Sequence, residues 1–447
     1  MLFTFDENFG NKDFLKSFFT GSPERLGLIQ TCLRNLVTGW YEGTLLLVMP
    51  PRLREWLCDD TCDMLTRYEK NKLEILCGHH RADLTSLAAR LPLTFRITAE
   101  LDSSKPYVRN DKHEPQTPRV IHKTCDGCPQ QLRVPLGYFQ VTARTQPTAL
   151  IAEDETDVRL YRLLGEFFLS SLSSPVESVL RLHCHNIGGG GDTAAGHIKR
   201  EAPLRPTLII LDSDRKKADG PLGDTAKKAM KELEQLCQAQ PPLAELLILS
   251  SRMLENILPR ELIKEAGLGS ASDGASFARA CEWKSPPHAY GSEELRFLHG
   301  KKGLRRIDLV ANPDVEGQYG KEAGIQVTTE EADALHTTFA TPEAAPEGGW
   351  CTAPTPRCQE KRKECQCIYF LGTPGNTLQR LVENLEKRLP DIRKEQFREK
   401  QNSSDDLQTV LFGKKDKRDA MQKERHFLGE RVVAWTVTGK PRRQSLL

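Results

Sequence analysis

Residues 148–164, TALIAEDETDVRLYRLL, place a run of acids between an apolar segment and an amphipathic one. The apolar residues Ala149–Ala152 predict a buried strand, and Thr156–Ser170 predict a helix. Acids in the first turn of a helix interact favourably with its dipole, which favours a solvated helix start. The alternative is that the strand delivers carboxylates to a shared metal ion. The acids in question are Glu153, Asp154, Glu155 and Asp157.

The surrounding residues, 148–266, alternate between strand-like and helix-like segments. Further strands are predicted at Val179–His185, Thr207–Leu211 and Ala244–Leu249, with a short helix after the first of these and a longer one at Asp224–Ala239. This alternation predicts a parallel sheet covered by helices on both faces. Ligands of such sheets lie beyond the carboxyl ends of the strands, so that edge is where function is expected.

Acidic residues recur at that predicted edge. Glu153 and Asp157 follow the first strand, Asp212 and Asp214 follow the third, and Glu255 follows the fourth. An isolated DxD also suits a helix start, but acids after three separate strands are harder to obtain by chance. Five clustered carboxylates would repel one another without a cation. Oxygen ligands of this kind suit Mg²⁺, which usually takes one or two carboxylates together with waters and substrate phosphate.

Hydrophobic periodicity and composition predict the elements of the remaining chain. Residues 1–92 predict mainly helices, in PERLGLIQTCLRNLVTGW, PPRLREWLCDDTCDMLTRYEKNKL and RADLTSLAARL, and strands follow in LPLTFRITAEL and QLRVPLGYFQVTA. The predicted division is an N-terminal α+β module (1–146), a catalytic α/β domain (147–310), a loop-rich insert containing cysteines (311–375) and a basic C-terminal α/β extension (376–447).

The C-terminal extension carries a local excess of positive charge. Residues 376–447 contain 17 Lys and Arg against 11 Asp and Glu, so 17 − 11 leaves +6. Its segment NTLQRLVENLEKRL predicts a helix, and ERVVAWTVTGKPRRQ predicts a strand and a basic tail. Such a region is expected to hold nucleic acid or a partner through salt-dependent phosphate contacts. A merely solvated helix and tail is the alternative.

Bulk composition restricts the class of protein. The chain has 447 residues, 38% of them hydrophobic, and a formal net charge of +2, which excludes a uniformly basic coat. Its apolar runs fall short of the roughly 18–20 residues that span a bilayer, so no membrane partner is expected. MLFTFDENFGNKDF has acids where a signal peptide requires a basic region. Thirteen cysteines, an odd number, favour a reducing compartment, and we expect a cytoplasmic protein.

Two groups of cysteines lie in polar loops. HKTCDGCP contains a CxxC pair, and WCTAPTPRCQEKRKECQC contains four more cysteines. A CxxC pair suits tetrahedral zinc, but four ligands are required, so zinc and free thiols both stay open. The two groups could also complete one shell together. The residues are Cys125, Cys128, Cys351, Cys358, Cys365 and Cys367. His183 and His185 share one face of a predicted strand, where packing is the favoured role.

With these residues in view, AEDETDVRLY followed by IILDSDR resembles a TOPRIM domain, which has a Rossmann-like parallel sheet. SSRMLENILP resembles the next element of OLD-type (overcoming lysogenization defect) nucleases and of standalone TOPRIM effectors of phage-defence systems. The resemblance covers residues 148 to about 305. It implies that Glu153 is the catalytic glutamate and that Lys302, in FLHGKKGLRR, contacts the scissile phosphate. It also implies a metal-ligand set of Glu153, Asp157, Asp212, Asp214 and Glu255.

The resemblance implies a Mg²⁺- or Mn²⁺-dependent nuclease with two metal ions, active in bacterial anti-phage defence. No GxxxxGK[ST] motif occurs, so any ATPase would be a separate partner. A TOPRIM primase or topoisomerase and a non-catalytic TOPRIM docking module are the alternatives. The substrate, DNA or tRNA or another RNA, is left open.

Two positions near the predicted site have open roles. Asp154 stands where such motifs usually have Gly, and its side chain would either crowd the substrate or add a ligand. The glycine run Gly188–Gly191 allows backbone N–H groups to approach a phosphate, or it forms a flexible turn.

Overall fold

The computed structural model describes residues 1–91, 93–101, 107–109, 115–116, 130–172, 180–190, 193–216, 220–239, 241–259, 262, 266, 304–305, 368–370, 377–397, 404–414 and 417–439. Among the helices in these ranges, none has the length and apolar character that crossing a membrane requires.

The N-terminal part of the chain forms a six-stranded sheet. Its strands are β1 (Leu2–Phe5), β2 (Leu46–Val48), β3 (Leu93–Thr98), β4 (Tyr107–Arg109), β5 (Pro115–Gln116) and β6 (Gln130–Pro135). The spatial order is β2-β1-β3-β6-β4-β5, in which the first four strands are parallel and the last two are antiparallel. The helices are α1 (Lys12–Phe18), α2 (Pro23–Glu42), α3 (Pro51–Cys58) and α4 (Arg67–Arg90).

The predicted α+β character of residues 1–146 is therefore wrong. β1 and β2 lie in the segment predicted as mainly helical, and they alternate with helices, so the unit is α/β. LFTF and LLV are runs of only 4 and 3 residues, too short for a periodic signal. The second predicted helix is in fact α3 and the start of α4, because Thr66 forms a capping box that begins a new helix.

A second, four-stranded parallel sheet follows. Its strands are β7 (Thr148–Ala152), β9 (Cys184–Gly188), β10 (Thr207–Leu211) and β11 (Ala244–Ile248), in the order β11-β10-β7-β9. The helices between and after them are α5 (Glu155–Ser171), α6 (Ala194–Glu201), α7 (Asp224–Ala239) and α8 (Leu254–Ile257). The predicted parallel α/β sheet is confirmed. Strands β7, β10 and β11 and helices α5 and α7 each fall within one residue of their predicted bounds.

The strand predicted at Val179–His185 divides into two. β8 (Leu180–Leu182) pairs antiparallel with β14 (Val437–Gly439), and β9 alone enters the parallel sheet. A further antiparallel pair joins β12 (Leu304–Arg305) to β13 (Ile368–Phe370). The C-terminal helices are α9 (Thr377–Phe397), α10 (Ser404–Phe412) and α11 (Ala420–Thr436).

The strand order of the second sheet defines where a ligand crevice lies. The chain leaves β7 toward β9 on one side, then returns to β10 on the other side and continues to β11. The order thus reverses between β7 and β10, which is the switch point where open α/β sheets bind ligands. The strands end nearly level, with Ala152 opposite Gly188 and Leu211 opposite Ile248. Residues that follow β7, β10 and β11 are therefore brought to one edge.

Helix α11 belongs to the core rather than to an extension. Trp435 is fully buried, its ring meets Phe95 of β3 edge-on at 5.0 Å, and its indole Nε1 donates to Glu245 Oε2 at 2.5 Å. Thr148 Oγ1 of β7 donates to the Trp435 carbonyl oxygen. The strand predicted in ERVVAWTVTG is wrong up to Thr436, because burial against both sheets overrides the strand preference of its β-branched residues.

Helices α5 and α11 pack closely because glycines lie at their contact. A Cβ placed on Gly165 of α5 would lie 2.6 Å from Val432 Cγ1. One placed on Gly429 of α11 would lie 2.9 Å from Phe168 Cβ. Side chains at these two positions would separate the helices, so glycine permits the close approach.

Candidate metal centre

The acidic run after β7 contains a helix cap, Asp154, and two less exposed acids, Glu153 and Asp157. Asp154 is the N-cap of α5, and its Oδ1 accepts a hydrogen bond from the Asp157 amide at 2.9 Å. Asp154 and Glu155 are exposed, whereas Asp157 is only 5% exposed and Glu153 is half-buried. Asp154 thus has a structural role as a helix cap.

The DxD segment follows β10 at the other side of the switch point. Asp212 is 6% exposed, and its Oδ1 accepts a hydrogen bond from the Leu254 amide at 3.0 Å. Asp214 has a φ of +52°, a left-handed conformation that Asp tolerates better than most residues. A Cβ on Gly223 would lie 2.5 Å from Asp214 Cβ, so glycine is required where the chain returns past this residue.

The segment after β11 is hydrogen-bonded to the DxD segment. Ser213 Oγ donates to the Ser251 carbonyl oxygen at 2.7 Å, and the Asp214 amide donates to the Arg252 carbonyl oxygen at 2.9 Å. Glu255, in the four-residue helix α8, is 6% exposed. These hydrogen bonds fix the DxD segment and the segment after β11 relative to each other.

The acids that follow the three strands influence the ionisation of one of their number, Asp212. The pKa of Asp212 is raised well above its usual value, first by burial and then by the negative charges of Glu153, Glu255, Asp157 and Asp214, in that order. An ionised carboxylate in such surroundings is unfavourable unless a cation compensates it. The other four predicted metal ligands therefore all disfavour the charge of one buried carboxyl group, that of Asp212.

Tyr161 is a site residue that sequence reasoning missed. It is 1% exposed, and its pKa is raised well above the usual value by burial and then by the charges of Asp212, Asp157, Glu153 and Glu255. Its phenol is therefore neutral and able to donate a hydrogen bond within the acidic cluster. Its spacing was the available signal, because Glu153, Asp157 and Tyr161 recur every four residues.

Two basic residues lie beside the DxD segment. The pKa of Lys216 is lowered by its partial burial and by the neighbouring charge of Arg252. Arg252 is 8% exposed, and its backbone holds Asp214. Positive charge is thus present next to the carboxylates.

Packing accounts for two of the four glycines in Gly188–Gly191. A Cβ on Gly188 would lie 2.5 Å from the Glu155 backbone nitrogen, so the end of β9 touches the start of α5. A Cβ on Gly189 would lie 3.1 Å from both the Ala152 carbonyl oxygen and Ala194 Cα, so a side chain would be crowded there as well. Gly191 lies outside the described residues.

The donor set fits a hard divalent cation without forming a finished cage. Over the described ranges, no three His, Cys, Asp or Glu side chains are grouped so as to hold an ion. Mg²⁺ requires no such group, because it is usually bound by one or two carboxylates and retains several waters. Asp212 with a neighbouring glutamate, Glu153 or Glu255, meets that requirement in chemical type.

Several predicted site residues lie outside the described ranges: Lys302 and the cysteines Cys125, Cys128, Cys351, Cys358, Cys365 and Cys367. The histidines are described. His183 lies between β8 and β9 and is half-buried, whereas His185 is exposed on β9. Cys32, Cys58, Cys62, Cys184 and Cys237 are free thiols.

Comparisons with protein-family models, curated proteins and solved structures gave no match.

Proposed function

We propose that the chain is a metal-dependent nuclease of the TOPRIM type that cleaves phosphodiester bonds of nucleic acid. One observation carries the proposal. Carboxylates that follow three parallel strands act on one buried aspartate, Asp212, at the switch point of the sheet. A protein without use for this charge would gain stability by replacing it, since buried charges without compensation are unfavourable.

The proposed ion ligands are Glu153, Asp157, Asp212, Asp214 and Glu255. Bound Mg²⁺ or Mn²⁺ ions, two in the full site, would lower the pKa of a water and neutralise charge on the leaving oxygen. The Leu254 amide orients Asp212 by holding its Oδ1. Tyr161 is buried and feels the charges of the same carboxylates, so its hydroxyl would donate a hydrogen bond to one of them and help to orient it.

The basic side chains beside the cluster suit the substrate backbone. Lys216 and Arg252 supply positive charge next to Asp214 and favour binding of a phosphate near the ions. Lys302 keeps the role that the resemblance implies for it, contact with the scissile phosphate. Neither assignment distinguishes DNA from RNA, because both have the same phosphates and differ in the 2′-hydroxyl of the sugar.

The wider role rests on the resemblance alone. Standalone TOPRIM effectors act in bacterial defence against phage, and the chain lacks a P-loop motif. A separate ATPase is therefore the proposed partner, and it would hold the nuclease or activate it.

The test is cleavage by the full chain of supercoiled plasmid, single-stranded DNA and total tRNA, with Mn²⁺ and with EDTA. Mn²⁺-dependent cleavage of at least one substrate is expected, and the double variant Asp212→Ala/Asp214→Ala should abolish it. The matched control is Asp60→Ala/Asp63→Ala, which removes two exposed acids from the loop between α3 and α4. Wild-type cleavage by the Asp212/Asp214 variant would move the active site elsewhere.

A further inference from the structure

A buried glutamate of helix α11 holds the segment that carries Glu255. Glu424 is only 3% exposed, and its Oε1 accepts hydrogen bonds from the Ser250 amide at 2.5 Å and from the Ser251 amide at 3.3 Å. Its Oε2 accepts from Ser251 Oγ at 2.7 Å. The separation along the chain is 174 residues between Ser250 and Glu424. A remote helix thus fixes the residues that directly follow β11.

The next residue of α11 holds the far end of the same segment. Arg425 is 4% exposed and donates from its guanidinium to the carbonyl oxygen of Ile257, the last residue of α8. It also donates to the carbonyl oxygens of Leu411 and Val410, at the end of α10. Glu424 and Arg425 therefore form hydrogen bonds with both ends of residues 250–257. Arg425 also connects this segment to α10.

Residues 250–257 also form hydrogen bonds with the DxD segment. The carbonyl oxygen of Ser251 accepts from Ser213 Oγ, and the amide of Leu254 donates to Asp212 Oδ1. A displacement of Ser250 and Ser251 would therefore reach Asp212 as well as Glu255. Groups that orient metal ligands through hydrogen bonds commonly change metal affinity when they are replaced.

The geometry of the contact suits a side chain with two acceptor oxygens. Three donors, two backbone amides and a hydroxyl, converge on the carboxyl group of Glu424. An alanine here would leave the three donors without this acceptor. A glutamine could accept from both amides and donate to the Ser251 hydroxyl oxygen, so it should preserve most of the contact.

We propose that Glu424 is a positioning residue, which holds residues 250–255 so that Glu255 and Asp212 face the same ion. The proposal rests on the proposed metal-dependent function, and it assigns the C-terminal helix α11 a role in forming the metal centre.

The experiment has two independent readouts on the full chain, and its variants are Glu424→Ala, Glu424→Gln and Ser251→Ala. The first readout is amide hydrogen exchange of residues 249–258, measured by mass spectrometry without metal. The second is Mn²⁺ binding, followed by the EPR signal of the free ion. The matched control is Glu386→Ala, which breaks the 2.7 Å ion pair between α9 and Arg159 of α5 but touches neither acidic segment.

Glu424→Ala should accelerate exchange at residues 249–258 and raise the Mn²⁺ dissociation constant by about tenfold or more, the range typical of groups that support metal ligands. Glu424→Gln should restore affinity to within about threefold, because it keeps the acceptor for both amides. Glu386→Ala should bind Mn²⁺ as the wild type does. Loss of stability alone would lower the melting temperature and leave the dissociation constant of the folded protein unchanged.

Wild-type exchange at residues 249–258 in folded Glu424→Ala would overturn the proposal, and so would wild-type Mn²⁺ affinity. If Glu424→Ala does not fold, Ser251→Ala decides, since it removes one donor only; wild-type exchange and affinity in that variant would be equally contrary. A third outcome is that exchange is faster in Glu424→Ala but the wild-type protein binds no Mn²⁺. That outcome would refute both the proposed function and the positioning of an ion, and Glu424 would then only hold residues 250–255 in place.

Discussion

Replacing Gly165 by alanine tests the close packing of α5, the helix that contains Asp157, against the buried helix α11. The added Cβ would lie 2.6 Å from Val432 Cγ1 and 2.8 Å from Leu182 Cδ1. Carbon atoms in ordinary contact are about 3.5–4.0 Å apart, so the methyl group overlaps its neighbours by about 1 Å. Overpacking of this kind costs about 1–3 kcal/mol. Alanine recovers about 1 kcal/mol through its better helix propensity.

Gly27→Ala is the matched control. A Cβ on Gly27, in the interior of α2, meets nothing within 4 Å, so only the gain of about 1 kcal/mol in helix propensity applies. Because that gain is common to both variants, the difference between their free energies of unfolding isolates the packing cost. We expect Gly165→Ala to be less stable than Gly27→Ala by about 1–3 kcal/mol.

The assay is urea unfolding of the wild type and the two variants, followed by tryptophan fluorescence. The free energies of unfolding are comparable when the three proteins have the same m-value. Trp435 is fully buried at the contact between the sheets and reports loss of this packing. Equal stability of the two alanine variants would show that α5 and α11 are not as close as described.

Three further predictions concern the acidic cluster. Asp212→Asn should abolish Mn²⁺-dependent cleavage yet raise the free energy of unfolding in EDTA at neutral pH by about 1 kcal/mol or more. The reason is that the folded state raises the pKa of the Asp212 carboxyl group, so folding must either bury its charge or bind a proton, and Asn requires neither. Chemical denaturation in EDTA measures this free energy, and a lower stability of the variant contradicts the prediction. Tyr161→Phe should raise the Mn²⁺ concentration for half-maximal cleavage by about tenfold, because a hydrogen-bond donor to the ligands is lost; an unchanged metal dependence would place the hydroxyl outside the site. Asp154→Gly should retain Mn²⁺ binding and lower stability by only a few tenths of a kcal/mol, because Gly is also an acceptable N-cap; a large loss of affinity in a titration would make Asp154 a ligand.

Most of the second sheet was predictable because β7, β10 and β11 are mainly apolar and its longer helices, α5 and α7, are amphipathic. TLIIL and AELLI are followed by loop signals, and DTAKKAMKELEQLCQA has helical periodicity, so their bounds were found almost to the residue. The position of Asp212 at the sheet edge follows from the same pattern, since parallel strands end at one side.

Other features depend on contacts that no local pattern encodes. β1 and β2 are short apolar runs that become strands only by pairing with each other and with β3. Residues 430–436 have the β-branched texture of a strand but are helical, because Arg431 and Trp435 both meet Glu245 from one helix face. Glu424 lies 174 residues from the serine it holds, and nothing near it in sequence indicates an acidic site.

The most direct measurement of the central claim is anomalous diffraction from a crystal of the full chain soaked in Mn²⁺. We expect a manganese peak within about 2.5 Å of an Asp212 oxygen and of an oxygen from Glu153 or Glu255, the distance of direct coordination by a hard cation. Manganese bound only at other places, with these three carboxylates making no contact to it, would contradict the account.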